Sequence, residues 1–150
     1  MKAFSFRLDP ALRWRATQLD LEKAAVAAAA KRLSDIRAVL VSLRAGLDDS
    51  TRQIGPVSTG SALEILSAYT GKIRRQIAEC ETGAKRAEQD LAARTLLMLD
   101  ANRKLHLIES LKKSAQTEWR GEFNRELEAF AGEAFLGRLQ SKKRARSSGG

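Results

Sequence analysis

LRWRATQLDLEKAAVAAAAKRLSDIRAVLVSLRAGL, residues 12–47, carries an apolar residue at every seventh position: Leu12, Leu19, Val26, Leu33, Leu40 and Leu47. Ala29, Ile36 and Leu43 fill the intermediate positions. A seven-residue apolar repeat marks a helix whose seam faces another helix, because 3.5 residues per turn keeps that seam on one side. Asp9 then reads as an N-cap and Pro10 as the first helical residue, where a missing N–H costs nothing. The first helix is expected over residues 10–54, preceded by an arm over residues 1–9.

The stretch IGPVSTGS, residues 54–61, breaks the pattern with Gly55 and Pro56, and residues 55–60 read as a loop. Ser61 and Glu64 form a candidate capping box for a restart. From Leu63 apolar positions alternate by three and four through Ile73, Ile77, Cys80, Ala84, Ala87, Leu91, Met98 and Leu105. They continue, slightly shifted, through Ala115, Trp119, Phe123, Leu127 and Phe130. No proline interrupts this run, so a second helix is expected over residues 61–138, roughly 110 Å long against roughly 65 Å for the first.

A short loop makes the helices antiparallel neighbours. Folding at the loop pairs Leu43 with Ile73, Leu40 with Ile77, Ile36 with Cys80, Leu33 with Ala84, Ala29 with Ala87, Val26 with Leu91, Leu19 with Met98 and Leu12 with Leu105. The expected fold is all-α: two long helices in an antiparallel coiled-coil hairpin, the second longer and overhanging. The same register sets two charged seam positions opposite countercharges, Glu22 facing Arg94 and Arg15 facing Asp100. Either such pairs fix register more than they add stability, or both side chains reach past the seam to solvent.

The charge is uneven. Residues 1–15 carry Lys2, Arg7, Arg13 and Arg15 against Asp9, net +3, and residues 134–150 carry five bases and no acid, net +5. The 118 residues between hold 18 bases and 17 acids, the balance of a solvated helix surface. Residues 139–150 read as a basic flexible tail. The opening segment lacks the apolar run and cleavage site of a secretory signal, and no apolar stretch is long enough for a membrane span. Lone Cys80 reads as a small apolar filler suited to a reducing compartment.

Enzyme chemistry is not expected. His106 has no second His or Cys at metal-ligand spacing. TGK at 70–72 lacks the upstream glycine and following hydroxyl of a phosphate loop. Carboxylates on paired helices face water with no concave site to shift their pKa values. No cofactor, metal or small-molecule substrate is implied.

Seven of the eight aromatics lie near the termini, Tyr69 being the exception. Six extended residues back from Pro10 reach about as far as 13 helical residues. Phe4 and Phe6 should therefore lie along the second helix between Ala115 and Trp119.

Phe4-x-Phe6-x-Leu8, then Leu12 and Arg15, leads into a heptad helix, a proline-containing break, a longer second helix and RELEAFAGEAFLGRL at residues 125–139. Across essentially the whole chain this resembles the FliJ family of flagellar proteins. The family's C-terminal region often carries an Asp-Glu pair where this chain has Gly132 and Glu133. The resemblance implies a non-enzymatic stalk of a bacterial type III export apparatus, flagellar or injectisome. Its partners would be the hexameric export ATPase, the export gate in the membrane and substrate chaperones. It would be cytoplasmic and peripheral at the inner face of the cell membrane. On this reading Phe4, Phe6, Trp14, Trp119, Phe123 and the basic Lys142, Lys143 and Arg144 form the ATPase-binding base. Leu47, Ile54, Leu63, Leu66 and Tyr69 at the loop end would meet the export gate.

Two other classes compete: a generic coiled-coil tether, and a basic nucleic-acid-binding protein suggested by KKRAR at 142–146. Against the latter, the base excess sits only at the ends and no aromatic alternates with the basic run. That run also suits an anionic membrane surface.

Overall fold

In a computed structural model, which describes residues 2–53 and 60–149, α1 spans Asp9–Gln53 and α2 spans Gly60–Ser147. The second helix is the longer, 88 residues against 45, and no strand occurs among the described residues. No helix there is long and apolar enough to cross a membrane. The chain divides into two compact units, Arg15–Arg103 and Met1–Trp14 with Lys104–Gly150.

Arg15–Arg103 is an antiparallel two-helix hairpin. Its core is the cluster Leu33, Leu40, Ala84 and Ala87, with Ile36, Ile77, Cys80 and Leu91 packed against it. These are the layers the heptads pair, and Leu19, Ala29 and Ile73 are buried beside them. Leucine on α1 meets alanine on α2, so the small side chain leaves room for the large one. The direction of the strands of charge agrees. Arg37 bonds Glu88 and Arg44 bonds Glu81, each at 3.1 Å, so an advance of one heptad on α1 is a retreat of one heptad on α2.

Those four residues flank the seam on one edge, where a groove of about 510 Å³ between the ion pairs reaches Leu40 and Ala84. On the other edge Ile36, Val39, Cys80 and Gly83 line an open, shallow groove of about 390 Å³. Near the end of α1 the seam turns polar: Ser50 and Thr70 are buried. Their hydroxyls donate to carbonyls of their own helices, Ser50 Oγ to Leu47 O at 2.8 Å and Thr70 Oγ1 to Ser67 O at 3.1 Å. No partner across the seam is needed.

Several expectations need correction. Asp9 is not the N-cap: the Leu12 amide donates to the Leu8 carbonyl at 2.9 Å, which puts the cap at Leu8 and Asp9 in the first turn. Its carboxylate is drawn instead to Lys112, at 2.8 Å. Ser61 is not a cap either, since α2 already includes Gly60, a residue expected in the loop. Ile54 and residues 55–59 lie outside the described residues.

The expected Glu22–Arg94 register pair is replaced by a local one. Arg94 Nε donates to Asp90 Oδ2 at 3.3 Å, one turn back on its own helix. An i,i+4 acid is held close by the backbone, whereas an acid across the seam must be reached by ordering two long side chains. Arg15 is half-buried on α1, Asp100 is exposed on α2, and neither is without a partner.

The basic tail is helix. Residues 139–147 continue α2, because nothing between Arg138 and Ser147 breaks it and Arg144 and Arg146 face the negative end of the helix dipole. Ser148 closes the last turn by donating its amide to Arg144 O at 3.1 Å.

Candidate functional site

The unit formed by the N-terminus and the later part of α2 contains the arm. Residues 2–6 carry no regular structure. A turn follows, in which the Asp9 amide donates to Phe6 O at 3.1 Å, and α1 begins. The arm runs against the direction of α2 and is held at three points. Lys112 Nζ donates to Asp9 Oδ1, with both side chains about two-thirds buried. Trp119 Nε1 donates to Lys2 O at 3.3 Å. The Phe4 ring meets Trp119 edge to face, centroids 5.9 Å apart and planes at 60°.

One turn further along α2, Phe123 stacks on Trp119 at 5.2 Å and 26°. The i,i+4 spacing places both rings on one helix face, and the arm brings the third. Phe4, Trp119 and Phe123 thus form one aromatic cluster. Phe6 is half-buried at the turn. Trp14, in the same unit, is 54% exposed on α1.

Three glutamates against Lys2 make the surroundings of the cluster acidic on balance. Lys2, Trp119, Glu122, Phe123 and Glu126 line a groove of about 450 Å³. Glu118 and Glu122 border a second, beside Phe4 and Ser5. Lys142, Lys143 and Arg144, expected in the same base, lie elsewhere: 23 residues of continuous helix separate Trp119 from Lys142, about 35 Å at 1.5 Å per residue. They would have come near only had the tail folded back, and its helix prevents that.

Of the loop-end residues, Leu47 and Leu66 are half-buried while Leu63 and Tyr69 are exposed. Ile65, missed in the sequence, is more exposed than either, at 71%. His106 Nδ1 lies 3.1 Å from Glu109 Oε2 on its own helix. The sequence reading also missed Lys112 and the glutamates. Lys112, Ala115, Trp119 and Phe123 recur at three- and four-residue spacing, the signal that puts them on one face.

Fold and site together define an all-α hairpin protein with a docked N-terminal arm and an acidic-rimmed aromatic cluster. No family model, curated protein or solved structure matches this chain.

Proposed function

We propose that this protein is a non-enzymatic helical stalk of a bacterial type III export apparatus, and that its aromatic cluster is the handle by which the export ATPase ring holds it. The observation that carries the reading is the docked arm: Phe4 is brought onto Trp119 and Phe123 to build a surface that α2 alone lacks. Buried aromatics at the centre of a polar rim are the usual anchors of a protein interface. With Glu118, Glu122 and Glu126 around them, the fitting partner surface is an apolar knob bordered by Arg or Lys, not the phosphates of a nucleic acid. The loop end, with Leu47, Leu63, Leu66 and Tyr69, is assigned to the export gate, and substrate chaperones are further partners. The stalk works at the inner face of the membrane that holds the gate.

The test is binding of the full chain to the export ATPase encoded in the same genome. Phe4→Ala and Trp119→Ala should each weaken binding about tenfold, with the helical circular dichroism of the hairpin intact, and should abolish any stimulation of ATP hydrolysis. Binding that ignores both substitutions removes the cluster from the interface. Absence of binding leaves the generic tether.

A further inference from the structure

Beyond Phe123, α2 has no cover: every residue from 124 to 149 is exposed while the helix continues to Ser147. Phe130 is 71% and Phe135 61% exposed, the largest apolar side chains of this stretch. Gly132 and Gly137 inside the same segment each cost the helix about 1 kcal/mol relative to alanine. A lone helix with two interior glycines and exposed phenylalanines gains from a surface to lie on.

The position of the charges says which surface. At 100° per residue, Leu127, Phe130, Ala131, Ala134 and Phe135 share one face. Arg138 and Lys142 continue that face in steps of four from Ala134, and Arg146 borders it one turn later. Glu122 and Glu133 lie on the far side with Leu136 and Lys143, Glu126 and Glu128 flank the face on either side, and no acid follows Glu133. The apolar face turns cationic at Arg138 and Lys142, and none of the acids lies within it. A parallel second copy of the segment would set Arg138 and Lys142 against themselves across that face. A layer of acyl chains under anionic headgroups fits both halves, apolar side chains entering the layer and Arg and Lys reaching the phosphates.

We infer that residues 124–147 are an interfacial membrane-docking helix that takes an anionic lipid surface. This deepens the placement at the inner face of the membrane, and it is tested without any ATPase, so the two readings can fail separately.

The full chain is incubated with vesicles of phosphatidylcholine alone, or with about 30% phosphatidylglycerol, and sedimented. Binding is expected only to the anionic vesicles and should fall as salt rises. The double substitution Phe130→Ser and Phe135→Ser should reduce partitioning at least about tenfold. Arg138→Gln and Lys142→Gln should each reduce it about fivefold. Glu133→Gln, on the far side, should not reduce it. Because all these positions are exposed, the hairpin's melting temperature should not move. No binding to anionic vesicles, equal binding to neutral ones, or binding indifferent to Phe130 and Phe135 would each overturn the inference. So would lipid-independent self-association that the two phenylalanine substitutions abolish.

Discussion

Phe4 and Trp119 meet edge to face at 5.9 Å, and the indole N–H of Trp119 donates to the Lys2 carbonyl two residues before that phenylalanine. One side chain on α2 thus holds both the ring and the backbone of the arm. An edge-to-face pair contributes about 0.5–1.5 kcal/mol beyond area burial. Phe4→Ala should therefore loosen the arm, raising hydrogen exchange at the Asp9 amide and around it, while residues 29–91 keep their protection. Trp119→Ala should act more strongly, since it also removes the stack with Phe123. A wild-type arm exchanging as fast as a free peptide would refute the docking.

Asp9 and Lys112 form a more buried ion pair than Arg37 with Glu88 or Arg44 with Glu81. A double-mutant cycle with Asp9→Asn and Lys112→Met should give a coupling of about 1 kcal/mol, against about 0.5 or less for Arg37 with Glu88, whose side chains are more than half exposed. Raising the salt concentration should shrink the second coupling more than the first.

Leu33 lies against the alanines of α2 in the hairpin's core. Leu33→Ala should cost about 2–3 kcal/mol in urea unfolding, near the low end for a buried leucine because a two-helix seam can collapse onto the gap. Ala84→Leu should also destabilise, by about 1–3 kcal/mol, because it overfills the core that Ala84 shares with Leu33 and Leu40.

Gly83 sits inside α2 on the open edge, and a Cβ built there meets nothing within 4 Å. Gly83→Ala should stabilise the hairpin by about 0.5–1 kcal/mol through helix propensity alone. Loss of stability on thermal unfolding would mean that the open edge is covered in solution.

Removal of residues 139–150 should lower the helical circular dichroism by about nine residues' worth, the length of α2 beyond Arg138. An unchanged signal would restore the flexible tail.

The hairpin was legible in the sequence because a heptad is a one-dimensional property. Leu33, Leu40, Ala84 and Ala87 were placed in the seam from their spacing alone, and they form the core cluster. The ion pairs were not legible in the same way. Arg94 had a candidate across the seam and another one turn back, and nothing in the spacing ranks local reach above seam register. Arg37, Arg44, Glu81 and Glu88 carry a visible heptad spacing of their own, but which edge they close depends on how the helices wind.

The sequence by itself determined the helices, their antiparallel pairing and the reach of the arm to Trp119, because periodicity, breakers and contour length are set by covalent geometry. Tertiary structure alone decided that Asp9 holds Lys112 rather than capping its own helix, and that Phe4 and Trp119 sit among glutamates. It also separated the basic run from the aromatic cluster, by keeping that run helical. Each of these is a competition among partners for one side chain or one segment, and distances in the folded chain settle it.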